Sequence, residues 1–332
     1  YFFKESSFNF KTHRILLLDA LNFKQWLQII IGCEASQVNP KNEIGVLTIW
    51  YLLGFSLKLF SSSGGSICLR KKRGVMDSRI ARETMWLKAS VAFIWIVTGV
   101  LFIHPYYREV GNEYLSKLSC PSWLMGATCL FEIALGIRLL CGNQPLWLAL
   151  LQGSMILVFT VILAWIEPNL MVHPFGILTK NLPLLFVIGV IWHFQKHGLT
   201  SRNLWFLRVG MALIWLTEGL FPKIFFQQEF EVQVVQNSGL VPIDPSVFLT
   251  FMGVAQFSSG VFALLLRGRW LGFILIGQMF GLWVLPLLVG IQDLRLFVHP
   301  FGPLTKNVPI LVGTFVVFRL CLGSSLSKPS TS

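Results

Sequence analysis

Long apolar runs, separated by short polar stretches, dominate the sequence from about residue 85 onward. Most of these runs are long enough to cross about 30 Å of hydrocarbon as α-helices, which rise about 1.5 Å per residue. Their residues do not alternate between apolar and polar, as the strands of a membrane barrel do. Membrane spans must also satisfy their backbone hydrogen bonds internally, which favours helices. The pattern therefore predicts an all-α, polytopic membrane protein.

Eight candidate spans fall into two sets of four. Their approximate ranges are 85–103, 123–141, 146–166 and 182–194 in the first set, and 205–226, 247–266, 270–291 and 308–322 in the second. The last span of each set is short for a bilayer unless its helix begins earlier, near Phe175 and Phe301. We expect two parallel four-helix transmembrane bundles with about eight spans.

The two sets of spans are copies of one unit. The segment HPFGILTKNLPLL begins at His173 and HPFGPLTKNVPIL begins at His299; ten of their thirteen positions are identical, at an offset of 126 residues. Upstream, Glu132 aligns with Gln256 at an offset of 124. Because the offset grows along the chain, the second copy carries extra residues, which we place mainly in the polar stretch 227–245. Such a repeat indicates duplication of one structural unit.

The repeat divides the chain into four parts. We expect the two membrane units at 76–198 and 199–323, and a polar tail at 324–332. The stretch 1–75 has no sustained pattern and contains no Met. We expect it to be a leader of doubtful status, either an over-extended gene prediction before Met76 or an extension with one extra span.

Composition supports the membrane assignment, and the charge distribution adds an orientation. Hydrophobic residues make up 54% of the chain and charged residues only 13%, with a formal net charge of +12. Bases concentrate before the first span and after the even-numbered spans, whereas acids concentrate in the opposite loops. The positive-inside rule therefore predicts cytoplasmic chain ends and outward-facing HPFG segments. We expect a protein of the bacterial inner (plasma) membrane that contacts lipid and binds no nucleic acid.

The unit carries several motifs, which occur in the same order in both copies, the first two with substitutions in the second copy. They are W-x-x-T-G near the first helix of the unit, an acidic residue with A-L-G in the second, and HPFG-x-L-x-K-N-x-P before the fourth. A unit of this kind resembles the DoxX-like membrane family, and the resemblance covers about residues 84–194 and 203–320. That family is related to subunits associated with thiosulfate:quinone oxidoreductase. The resemblance implies a membrane subunit for quinone-linked redox chemistry, with a soluble dehydrogenase or other redox partner.

The two HPFG segments supply the first candidate site residues. His173 and His299 are candidates for relaying a proton or for hydrogen-bonding a quinone carbonyl. The alternative is a helix-entry device, in which His closes the loop, Pro starts the helix and Gly allows a tight bend. The residues of that structural motif are Pro174, Gly176, Asn181, Pro300, Gly302 and Asn307.

Lys180 and Lys306 lie seven residues after the two histidines. If that segment is helical, His and Lys stand two turns apart on similar faces. An ammonium group there can hold an anionic or carbonyl-bearing ligand. The alternative is that the lysines extend to the lipid headgroups.

Two acids lie inside apolar runs, where an unpaired carboxylate costs several kcal/mol. Glu132 aligns with Gln256, and Glu218 aligns with Thr98, so the two copies carry the acid on different helices. We therefore consider a composite ligand or proton site that uses Glu132 and Glu218. The alternative is two unrelated polar contacts between helices.

Motifs for a resident cofactor are missing from the sequence. The six Cys are scattered singly, and there is no haem, phosphate-loop or dinucleotide motif. We therefore expect no metal and no covalent cofactor, with quinone as the ligand to test. Three function classes stay open: a quinone-linked redox subunit, a small-solute or proton-coupled transporter or channel, and a non-catalytic anchor or assembly factor. Oligomer formation also stays open.

Overall fold

The computed structural model describes residues 78–173, 176–177, 179–239 and 241–323. The predictions made for the leader 1–75, the tail 324–332 and Pro174 lie outside the described residues.

The described residues form ten α-helices, joined by turns and short 3₁₀ or π segments, and contain no β-strand. In the first repeat the helices are α1 Ser78–Val100, α2 Pro105–Lys117, α3 Trp123–Cys141, α4 Leu146–Ile166 and α5 Asn181–His197. In the second repeat they are α6 Ser201–Leu220, α7 Glu229–Ser238, α8 Pro245–Leu265, α9 Gly268–Gln292 and α10 Asn307–Gly323. We call α1–α5 repeat 1 and α6–α10 repeat 2.

Six of the described helices are long and apolar enough to cross a membrane, namely α1, α3, α4, α6, α8 and α9. This confirms the all-α, polytopic membrane fold. The fourth span of each repeat is shorter, because α5 and α10 each contain 17 residues. At about 1.5 Å per residue, such a helix falls somewhat short of the roughly 30 Å hydrocarbon layer.

The suggestion that α5 and α10 begin near Phe175 and Phe301 is wrong. Both helices begin only after the lysines, because Gly176 and Gly302 have φ values of +61° and +56°. That left-handed conformation, which glycine adopts without strain, interrupts a right-handed helix. The two histidines and lysines consequently do not share a helix face.

Each repeat contains a short helix that the hydrophobic pattern did not predict. α2 follows the first span of repeat 1, and α7 follows the first span of repeat 2. α7 lies inside the polar stretch 227–245. Both helices lie at the same end of the bundle as the two HPFG segments, which we call the motif end.

The four central helices of the bundle are α1, α5, α6 and α10. Within the repeats, α3 packs on α1, α4 on α5, α8 on α6 and α9 on α10. The repeats meet where α5 contacts α6 and where α10 contacts α1, and α5 also contacts α10. This arrangement relates the repeats by an approximate two-fold axis along the bundle.

The outer helices leave a large apolar surface exposed. Within the spans of α1 and α6, 61% and 50% of the residues are buried, against 22% to 28% in α3, α4, α8 and α9. The exposed side chains include Leu130, Trp165, Phe251 and Phe280. Exposed apolar area on this scale is the surface that a membrane protein presents to lipid.

At the opposite end of the bundle, equivalent cations donate hydrogen bonds to backbone carbonyls at helix C-termini. Lys88 Nζ donates a hydrogen bond of 2.5 Å to the carbonyl of Gly142, just after α3. At the aligned position, the Arg208 guanidinium donates to the carbonyls of Ala263 and Leu266 at the end of α8. Carbonyls at a helix C-terminus lack partners within the helix, so both contacts satisfy them.

Candidate functional site

The lysines of the two HPFG-x-LTKN segments cross between the repeats. Lys180 Nζ donates a hydrogen bond of 2.6 Å to the carbonyl of Pro303, and Lys306 Nζ donates one of 3.0 Å to the carbonyl of Ile177. Ile177 and Pro303 are aligned positions, so the two contacts are equivalent under the approximate two-fold axis. Each repeat thus holds the motif loop of the other.

Both lysines are removed from water at this interface. Burial lowers the pKa of Lys180 to about 8. Burial, together with the nearby charge of Lys180, lowers the pKa of Lys306 to about 7. Each Nζ makes one hydrogen bond to a carbonyl and has further N–H groups, so both lysines can donate to a further acceptor.

The histidines close the motif loops. The Phe301 backbone N–H donates to His299 Nδ1 at 3.3 Å, and the His299 ring packs edge-on against Tyr106 and Phe301. Burial lowers the pKa of His299 to about 3, with His173 and Lys306 contributing. Burial also lowers the pKa of His173 to about 4, with Lys180 contributing. Both imidazoles are therefore neutral near pH 7.

Glu218 of repeat 2 lies against the motif loop of repeat 1. The Thr179 hydroxyl donates to Glu218 Oε1. A Cβ at Gly176 would overlap the same carboxyl oxygen, so the glycine of this HPFG segment allows both the turn and the close approach. The charges of Lys180 and Lys223 also act on the carboxyl.

Glu132 lies in the corresponding part of repeat 1. Its carboxyl lies close to Thr98 and is affected by the charge of Lys306, and Glu132 Oε2 has no hydrogen-bond partner among the described residues. The structure thus places each acid with the lysine of the other repeat, Glu218 with Lys180 and Glu132 with Lys306.

A cavity of about 160 Å³ lies beside Glu218 and is lined by residues of α6–α10 and of the motif loop of repeat 1. Four ionisable side chains line it: Lys180, Glu218, Lys223 and Glu231. Lys223 comes from the π-helical turn Phe221–Phe225 and forms a buried ion pair of 2.9 Å with Glu231 of α7. Helical turns of this rare type are frequent at functional sites.

Further polar groups lining this cavity lack partners. Trp215 Nε1, Gln256 Oε1 and Asn307 Oδ1 have no hydrogen-bond partner among the described residues. A buried polar group without a partner costs about 1–3 kcal/mol, so native structures rarely leave several together. The cavity therefore offers one N–H donor and two amide groups to a molecule that enters it.

Sequence reasoning missed Lys223 and Glu231. Lys223 lies within the predicted span 205–226, and an intramembrane charge is itself a signal of function. Glu231 gave no comparable signal, because it lies in a polar stretch and its ion pair depends on where α7 packs.

The other acids near the motif end have local roles. Glu167 lies 3.8 Å from the Lys117 ammonium, and Asp293 accepts a hydrogen bond of 3.0 Å from the Arg295 backbone N–H. Among the described residues, no group of three or more His, Cys, Asp or Glu side chains is placed to hold a metal ion.

These features define a helical membrane protein built from two copies of one unit, with a polar cavity in one copy. The DoxX-like family matches residues 92–189 and again residues 212–315, so the chain belongs to the DoxX-like family and carries its unit twice. This confirms the resemblance drawn from the motifs. No curated protein and no solved structure matches the chain.

Proposed function

We propose that the protein binds a quinone headgroup in the repeat 2 cavity and serves quinone-linked redox chemistry as a membrane subunit. Electrons would pass to or from a partner that carries the redox cofactor, such as a soluble dehydrogenase. The observation that carries the proposal is the cavity itself, which combines buried cations, an acid and unpartnered polar groups with apolar walls.

The size of the cavity suits a single ring. An apolar protein cavity of about 150 Å³ accepts benzene, and the volume beside Glu218 is about 160 Å³. A quinone headgroup is one six-membered ring with two carbonyl oxygens, and its flat apolar faces match side chains such as Leu249, Met252 and Leu282.

The charges of the cavity suit a neutral ligand. The cations Lys180 and Lys223 are matched by the anions Glu218 and Glu231, so an anionic ligand would add uncompensated charge. Quinone carbonyls accept hydrogen bonds from ammonium and indole N–H groups, whereas quinol hydroxyls also donate to amide oxygens. Lys180, Lys223 and Trp215 supply the donors, and Gln256 and Asn307 supply the amide oxygens.

The location proposed from the charge pattern completes this function. We place the protein in the bacterial inner membrane with both chain ends in the cytoplasm, and 76–198 and 199–323 are its two units. The motif end then faces outward. The cavity lies close to that face, where quinone headgroups at the membrane boundary can reach it.

The test is quinone binding by the purified protein. Full-length protein in lipid nanodiscs should retain quinone that organic extraction and chromatography detect, and emptied protein should bind a dimethoxy-methyl-benzoquinone. Trp215→Phe should weaken binding by about fivefold, because a hydrogen bond from the indole N–H to a quinone carbonyl contributes about 0.5–1.5 kcal/mol. The matched control Trp283→Phe alters an exposed tryptophan of α9 and should bind like wild type. Absence of quinone binding by the wild type would overturn the proposal.

A transporter is the second candidate function. It is favoured by the buried ionisable groups at the repeat interface, where Lys180 and Lys306 cross between parallel repeats. Protein reconstituted in liposomes would then move protons or a small solute. Flux without quinone binding would favour this candidate over the redox subunit.

A further inference from the structure

The polar and apolar walls of the repeat 2 cavity lie on different sides. Lys180 and Glu218 lie on the side of the central helices and the repeat interface, and Lys223 and Glu231 lie beneath α7. The outer helices α8 and α9 contribute mainly apolar residues, namely Leu249, Met252, Gly281, Leu282, Leu285 and Pro286, with Gln256 as the polar exception. A molecule in the cavity thus meets polar groups on its inner side and an apolar wall toward the bilayer.

The motif end of the cavity is covered. The Lys223–Glu231 ion pair joins α7 to the end of the first span of repeat 2, and both side chains are largely buried. Val234 and Val235 of α7 line the cavity beside the pair. Breaking a buried ion pair costs about 3–5 kcal/mol, so α7 is a costly route of entry from water.

The seam between α8 and α9 is looser. These two helices contact each other much less than α8 contacts α6 or α9 contacts α10. Toward the opposite end the seam is held by Gln278, whose Nε2 donates to the Ser259 hydroxyl at 2.9 Å and to its carbonyl at 3.2 Å. Nearer the motif end, the seam is bordered by the half-buried side chains of Met252, Leu285 and Pro286.

Two features favour an opening at this part of the seam. Pro286 lies inside α9, where a proline removes a backbone N–H and bends the helix. The outer surface around the seam is strongly apolar, with Phe251, Phe280 and Trp283 each more than 60% exposed. An apolar chain that left the cavity at this part of the seam would contact apolar side chains and then lipid.

We infer that the ligand of the cavity is a lipid-tailed molecule, with its ring among the polar groups and its apolar tail leaving between α8 and α9 into the bilayer. This inference rests on the proposed quinone function and restricts it to membrane-borne quinones that enter sideways from the lipid. A water-soluble quinone of the same headgroup would lack the contacts that the seam provides.

The test measures separately how much the quinone headgroup and its tail contribute to binding. A dimethoxy-methyl-benzoquinone with and without a decyl tail is added to emptied protein in nanodiscs, and protein-bound quinone is measured after protein-free nanodiscs are subtracted. Met252→Trp and Leu285→Trp narrow the seam from either side. Because Met252 and Leu285 also line the cavity, each variant should weaken binding of both quinones, and should weaken binding of the tailed quinone by about tenfold more. Phe251→Trp, at a neighbouring lipid-facing position, is the matched control for added bulk and should change neither.

The outcomes are distinguishable. If both quinones bind and the seam variants weaken both equally or neither, the sideways route is overturned and the proposed function stands. If neither quinone binds to the wild type, the proposed function fails and the inference fails with it. Variants that do not elute as a single species like wild type are set aside. The two seam variants alter different helices, so misfolding of one variant does not decide the result.

Discussion

The two repeats share a sequence pattern, yet equivalent polar side chains bond to each other in repeat 1 and line a cavity in repeat 2. In repeat 1 the Trp95 indole N–H donates to Gln152 Oε1 at 3.0 Å, and Asn181 Nδ2 donates to the Thr160 hydroxyl at 2.8 Å. At the aligned positions of repeat 2, Trp215 Nε1 and Asn307 Oδ1 have no hydrogen-bond partner among the described residues. The same polar residues are thus satisfied internally in one copy and left available in the other.

A few substitutions explain the difference. Thr160 is replaced by Pro286, so the hydroxyl that accepts from Asn181 has no counterpart in repeat 2. Met155 is replaced by Gly281, over which the Trp215 ring lies. Gln278, aligned with Gln152, bonds to Ser259 instead of the tryptophan. After a duplication, one copy can therefore keep its polar side chains bonded to each other while the same side chains line a cavity in the other.

The largest effect is expected when the proline of repeat 2 is placed in repeat 1. Thr160→Pro should destabilise the protein by about 3 kcal/mol, because it removes a hydrogen bond within α4 and the hydroxyl that accepts from Asn181. Denaturant unfolding followed by circular dichroism measures this. The control Thr160→Ser keeps the hydroxyl and should cost much less. Equal stability of Thr160→Pro and wild type would contradict the view that Thr160 holds repeat 1 together.

A smaller effect is expected at the paired tryptophans. Trp95→Phe leaves the fully buried Gln152 without its donor, whereas Trp215→Phe removes an N–H that has no partner among the described residues. The two changes remove the same atoms, so Trp95→Phe should cost about 1–2 kcal/mol more. The same unfolding experiment compares them. A larger loss for Trp215→Phe would mean that the indole of repeat 2 is already satisfied.

The smallest effect concerns a feature that the repeats share. Burial lowers the pKa of His173 to about 4 and that of His299 to about 3, from an ordinary value of 6.5. The unfolded chain therefore binds more protons below pH 6.5, and stability falls as the pH drops from there. At pH 6 the loss should be roughly 1 kcal/mol or less for each histidine.

Replacement of either histidine by Asn should flatten this pH dependence by a similar amount. Melting temperatures measured across the pH range in one detergent test it. A pH dependence carried by one histidine alone would show that the two motif loops are less alike than their sequences.

Much of the fold could be predicted because it depends on local sequence. The bounds predicted for the spans 123–141 and 146–166 are those of α3 and α4, since Gly142 and Pro145 lie directly between the two apolar runs. The duplication was visible because the HPFG segments are nearly identical. The turns after His173 and His299 could not be predicted from hydrophobicity, because a left-handed glycine decides them.

The cavity could not be predicted for a different reason. It depends on which side chains of α4 and α9 face the tryptophan and the asparagine of neighbouring helices, and Met155 and Gly281 look alike in an apolar run. The acids and lysines were recognised as candidates, but their crossed arrangement between repeats depends on packing that only the folded structure defines.

The most direct test of the central claim, that repeat 2 keeps an open site beside Trp215, is to fill the cavity with the side chain found in repeat 1. Gly281→Met should reduce binding of the tail-free quinone by about tenfold or more, because the side chain occupies the space beside Trp215. Gly277→Met is the matched control on the same helix, since a Cβ there meets no atom within 4 Å among the described residues, and it should bind like wild type. Wild-type affinity in Gly281→Met would contradict the account.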